Sequence, residues 1–124
     1  MSSLIEALAE MEGDSKNENP EKEANQEAKA DSGKLPLTLV PGNLIRACAV
    51  VRAFGTKKYK DPDNWKKVAP ERYRDAMYRH WLAYLDDPKS VDEESGIPHL
   101  FHCICNLAFL AELEDLPIPD RIEK

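Results

Sequence analysis

At 124 residues the chain has room for one domain rather than two. It is 32% charged with a net charge of −6, and its three cysteines, Cys48, Cys103 and Cys105, are an odd number without framework spacing. That excludes a disulfide scaffold and points to a reducing cytoplasm, with the thiols read as small buried hydrophobes. No apolar run approaches the roughly 20 residues of a membrane span, and MSSLIEALAE lacks the basic and apolar regions of a secretory signal.

Residues 1–33 hold nine acidic and three basic side chains. Within them, residues 2–12 predict a short amphipathic helix with Leu4, Ile5, Leu8 and Met11 on one stripe, capped by Ser2 or Ser3. A helix of that length is unstable alone, so it needs a partner surface on this protein or another. Gly13 to Gly33 contains no aromatic, β-branched or long aliphatic residue, the composition of a disordered linker. Residues 1–33 are thus read as an acidic flexible tail, 34–116 as a folded helical domain and 117–124 as a C-terminal tail.

The folded part opens at LPLTLVPGNL, where Pro41 suits a first helical turn. A helix over about 42–55 places Leu44, Ile45, Cys48, Val51 and Phe54 on one face, and Gly55 ends it. A basic connection follows, TKKYKDPDNWKKVA, in which Asp61-Pro62-Asp63-Asn64 signals a turn and Trp65 an anchor. Pro70 begins a second helix with Tyr73, Ala76, Met77, His80, Trp81 and Tyr84 at core spacing. After the loop PKSVDEESGI, Pro98 starts a third helix, HLFHCICNLAFLAELE, that is apolar nearly all round. Such a helix needs cover on several sides. The expected class is all-α: a compact bundle of about three core helices, completed by homo-oligomerisation because so small a core is marginal.

Charge is unevenly distributed. Positions 41–85 hold ten basic and four acidic residues, whereas 86–124 hold three basic and ten acidic. Basic residues beside acidic ones suit a phosphate ligand held with a divalent metal; the plainer reading is that two solvated halves neutralise each other.

All three histidines fall in the last two helices. His99, His102, Cys103 and Asn106 form one polar stripe on a greasy helix, and a helical hairpin brings His80 opposite it, with Asp92, Glu93 and Glu94 in the loop between. The chemical reading makes His80, Asp75 and Glu94 the catalytic candidates and His99, His102 and Glu93 the metal ligands. Magnesium or manganese is the expected ion and zinc an alternative. The plain reading is satisfied core or cap histidines. A second constellation, Lys57, Lys58, Tyr59, Asn64, Trp65 and Arg79, offers cations for phosphates, rings for a base and an amide for its edge; otherwise it is a solvated loop pinned by Trp65. No sequence-specific nucleic-acid reader is expected from an acidic chain without such motifs. Nucleophile elbows and glycine-rich phosphate loops are also absent from the sequence.

The string DSGK-x-PL at 31–37, Lys57-Lys58-Tyr59 through Asn64-Trp65, RYRDAMYRHWLAYL at 72–85 and DEESGIPHLFHCICNLAFLAELE at 92–114 occur in this order. Together they resemble the phage family named for the N-terminal part of dATP/dGTP diphosphohydrolase. The resemblance implies a MazG-like, all-α relative. In such proteins a helical dimer cleaves a purine deoxynucleoside triphosphate to monophosphate and pyrophosphate with divalent metal, adjusting nucleotide pools in the host cytoplasm. MazG-like sites rest on E-E-x-x-E and E-x-x-D helices; if the helices correspond, His99 and His102 stand where metal-binding acids would be. That departure sets a second expectation beside the enzyme, a non-catalytic nucleotide-binding protein of sponge type. A third is a small protein that recruits a partner through its acidic tail.

Overall fold

The computed structural model describes residues 32–122. The proposed helix at 2–12 and nearly all of the linker after it lie outside them. The described residues fall into two units. In the smaller, residues 32–35 pair with 119–122: Ile122 N–H donates to Gly33 O at 2.7 Å, and Lys34 and Arg121 form an isolated antiparallel bridge. Gly33 sits at φ +75°, and a Cβ there would meet Ile122 O at 3.1 Å, so this pairing needs glycine.

The larger unit, Pro36–Ile118, bears out the all-α expectation. It contains α1 (Asn43–Lys58), α2 (Pro70–Asp86) and α3 (His99–Leu113), with single 3-10 turns at Leu37–Leu39 and Asn64–Lys67. Pro70 occupies the first turn of α2 and Glu71 joins it there, satisfying both the fixed φ of proline and the helix dipole. α1 does not end at Gly55. It continues to Lys58, and Tyr59 caps it by donating its N–H to Gly55 O. A mid-helix glycine costs only about 1 kcal/mol, and Lys57 and Lys58 in the last turn favour the negative end of the dipole.

α1 and α2 both pack on α3 and not on each other. Arg52 reaches Phe109 and Lys58 reaches Glu94, while Tyr73 meets Phe109 and His80 meets His99. Both helices therefore run antiparallel to α3 and leave a gap above it. Ala47, Cys103, Cys105 and Leu110 form the buried core with Ile97. The Cys103 thiol donates to Met77 O across the α2–α3 contact at 3.6 Å.

Two stripes differ from their expected orientation. Leu44 and Ile45 are 48% and 70% exposed, and Ala47 takes the buried position on α1. Trp81 on α2 is exposed as well and stacks on Tyr84. A three-helix unit offers α1 and α2 one neighbour each, so only a narrow stripe on each is covered.

Candidate functional site

The gap between α1 and α2 is a cleft of about 600 Å³. Its floor is α3, contributing His102, Cys105, Asn106 and Phe109; Val51, Arg52, Phe54 and Gly55 of α1 form one wall and Arg72, Tyr73, Ala76, Arg79 and His80 of α2 the other. Asp92 and Glu94 close one end, Lys58 at the end of α1 lies beside them, and the connection between α1 and α2 adds Tyr59, Asp61, Asn64 and Trp65.

At the far end, Phe109 stacks on Trp65 with ring centres 4.7 Å apart and meets Tyr73 at 4.9 Å. The Tyr73 hydroxyl donates to Trp65 O, which ties the 3-10 turn to α2. The Arg52 guanidinium lies 5.3 Å from the Phe109 ring centre and donates to Pro62 O. Trp65 is therefore a wall of the cleft with one face already used.

At the near end the loop 88–98 is folded on itself. Asp92 N–H donates to Ile97 O, Gly96 N–H to Asp92 O and His99 N–H to Ser90 O. Gly96, at φ +70°, makes the reversal possible without strain. Asp92 Oδ2 accepts from both the backbone N–H and the hydroxyl of Ser95, at 2.9 and 3.0 Å. Ser95 Oγ also accepts from Ile97 N–H and lies 2.8 Å from His102 Nε2. With its own proton on the carboxylate, the hydroxyl acts as acceptor toward His102, which assigns the ring proton to Nε2.

This loop carries Asp92 to the histidines. His80 Nδ1 faces His99 Nδ1 at 2.8 Å, and His80 stacks on His102 with ring centres 4.4 Å apart. One ligand atom each from His80, Asp92 and His99 lie within 4.8 Å of one another. Desolvation, reinforced by the neighbouring His102 and His99 and by Arg79, pushes His80 down to about 4, so it is neutral at pH 7. Desolvation also lowers His102. Desolvation works to raise Asp92, but the two Ser95 bonds outweigh it and hold the carboxyl below its ordinary value. A neutral His80 imidazole and an ionised Asp92 carboxylate are the protonation states a divalent cation requires.

Of the residues singled out from sequence, His80, His102, Lys58, Tyr59, Asn64, Trp65, Arg79 and Glu94 line the cleft, and His99 is bonded to His80. Lys57, Asp75 and Glu93 are exposed and are not among its lining residues. Glu94 is paired with Lys58. Asp92, rather than Glu93, is the loop acid beside the imidazoles. Arg72, which with Arg74 and Arg79 extends the basic character of the second helix, also lines the cleft, whereas Arg52, Ser95 and Phe109 carried no assigned role in the sequence. Arg52 was legible as a cation set between Val51 and Phe54 on the inward face; the hydroxyl of Ser95 carried no signal.

Residues 24–118 match the family described as dATP/dGTP diphosphohydrolase, N-terminal. A protein of Salmonella phage PMBT28 named dATP/dGTP diphosphohydrolase is 37% identical over 82 residues, which cover 66% of this chain and 28% of that relative. The chain thus corresponds to little more than a quarter of the curated relative's length. No solved structure matches. Among the described residues no helix is long and apolar enough to cross a membrane.

Proposed function

The chain belongs to the dATP/dGTP diphosphohydrolase N-terminal family, and from that premise we propose that its cleft binds a purine deoxynucleoside triphosphate and hydrolyses it between the α and β phosphates. The carrying observation is that the His80–Asp92–His99 cluster borders, through His80 and Asp92, a cleft that also gathers cations and an aromatic end wall. The donor set fits a divalent metal, and imidazole donors favour manganese or zinc over magnesium. When bound, such an ion polarises phosphate oxygens and lowers the pKa of bound water.

The residues divide the remaining work. Arg79 and Lys58 carry charge for the phosphates, and Tyr59 with the Trp65–Phe109 wall flanks a base. Ser95 holds Asp92 and His102 in fixed orientations, as outer-shell hydrogen bonds do around metal sites. In the reaction a water oxygen bonds to the α phosphorus, the bond to the bridging oxygen breaks, and pyrophosphate leaves. A cytoplasmic setting in a phage-infected host accords with the source of the relative.

The second reading is a nucleotide-binding domain whose catalysis depends on further chain. It is favoured by the share of the relative covered, 28%, and by the single carboxylate, Asp92, in the cluster. Turnover separates the two. Purified protein is incubated with each dNTP and rNTP and magnesium or manganese, and products are resolved by chromatography. Monophosphate and pyrophosphate from purine dNTPs, lost in His80→Ala, support the enzyme. No product at high protein concentration, with saturable binding retained, leaves the binding domain.

A further inference from the structure

Asn106 is buried, with 8% of its surface exposed, yet its side-chain amide bonds to no described residue. No side-chain polar atom among the described residues is both sealed from solvent and unpartnered, so the amide opens on the cleft that Asn106 lines. Open to the cleft and bonded to no side chain or backbone group there, the amide is available to a polar group that enters it. Its position says what that is. Along α3, His102 is one turn before Asn106 and Phe109 nearly one turn after, about 6 and 4.5 Å in axial rise. Asp92, Arg79 and Lys58 gather toward the first; Trp65 packs on the second. A nucleotide lying along this floor places phosphates at the charged end and its base against the aromatic end, edge-on to Asn106.

We propose that Asn106 reads the Watson–Crick edge of the purine base, an inference that rests on the nucleotide-binding reading above. A carboxamide sets an acceptor beside a donor. Adenine offers its N6 amino group beside the N1 lone pair; guanine offers O6 beside N1–H. The amide meets either edge by turning over about its terminal torsion, so one residue serves both purines. A carboxylate at the same place only accepts. It pairs with N1–H and the N2 amino group of guanine and faces the N1 lone pair of adenine.

The test measures binding of α,β-imido analogues of dATP and dGTP to the full chain by calorimetry, with manganese present. In Asn106→Asp the dGTP-to-dATP affinity ratio rises roughly tenfold or more. A general loss from added negative charge, or from a partly unfolded sample, cancels in that ratio. Asn106→Leu, a near-isosteric change, erases the preference for dATP over the same nucleotide carrying unsubstituted purine. Asn64→Asp, also on the cleft but in the 3-10 turn, leaves the ratio unchanged. An unchanged ratio in Asn106→Asp, or a switch produced by Asn64→Asp instead, overturns the assignment while nucleotide binding stands. Absence of binding by the wild-type chain overturns both.

Discussion

The Nδ1 atoms of His80 and His99 face each other at 2.8 Å across the α2–α3 contact. Two imidazoles meet this way in two situations: one nitrogen carries a proton to the other, or both aim lone pairs at a shared cation. Asp92, within 4.8 Å of both, adds the negative charge that the second situation needs.

The proposed metal site predicts that manganese or zinc stabilises the protein. At a metal concentration of about 100 times Kd, binding adds about 2.7 kcal/mol, which for a domain this small is a rise in Tm of about 10 °C or more. Thermal melts with and without a chelator read the effect. Asp92→Asn and His99→Gln both abolish it; a wild-type melt that ignores manganese and zinc alike sinks the metal site.

The helices were legible because their apolar residues recur at helical spacing and Pro70 and Pro98 mark starts. What periodicity could not supply was the number of neighbours each helix would have. Leu44, Ile45 and Trp81 match a core stripe, but α3 is the one helix that α1 and α2 each pack against, so these residues stay outside. The site divides the same way. The three histidines were visible as a rare residue type placed on facing helices. Asp92 could not be chosen over Glu93 and Glu94, because the choice is made by the Ser95 hydroxyl and the reversal at Gly96, neither of which has a spacing signature.

The exposed Leu44 and Ile45, with Leu37 and Leu39 just before them, predict self-association, since so small a core gains stability by covering such a face. Sedimentation of the wild-type chain is expected to show a dimer or larger species. Ile45→Lys shifts it toward monomer without a buried charge to unfold it. A wild-type chain that stays monomeric across the accessible concentration range rules this out.

Phe109 is wedged between Trp65 and Tyr73 with Arg52 nearby. Phe109→Ala removes the ring that joins the 3-10 turn to α3, and the expected cost is about 3 kcal/mol, the low end for a core phenylalanine because the site is only half-buried. Denaturant unfolding measures it, and Trp65 fluorescence shifts to the red as water reaches the indole. A cost within error of zero means the cleft wall is held by the connection alone.

Burial, aided by the neighbouring Cys48 thiol, pushes Cys105 up to about 12. In the unfolded chain a thiol ionises near its ordinary value, so above about pH 9 the unfolded state has lost a proton that the folded state keeps. Stability is fully present below that pH and falls as pH rises toward 12. Desolvation raises Tyr73 too, which adds to the same decline above pH 10. Melts between pH 7 and 10.5 follow it, and Cys105→Ala flattens the early part of the curve. A Tm that holds steady through pH 10.5 contradicts the burial assigned to this thiol.

Glu94 neutralises Lys58 at the mouth of the cleft, and both side chains are largely exposed. The pair contributes little to the fold, because exposed ion pairs are screened by solvent. Its consequence is for ligand charge: Glu94 competes with phosphate for the ammonium group. Glu94→Gln is expected to tighten nucleotide binding and Lys58→Ala to weaken it, each on the order of fivefold, with melting temperatures unchanged. Calorimetry at low salt reads both, and the difference narrows as ionic strength rises. The same pair of variants settles which role Glu94 has. A Glu94→Gln protein that binds as tightly as wild type but no longer turns substrate over makes Glu94 a catalytic carboxylate, the role expected from the sequence, rather than a brake on Lys58.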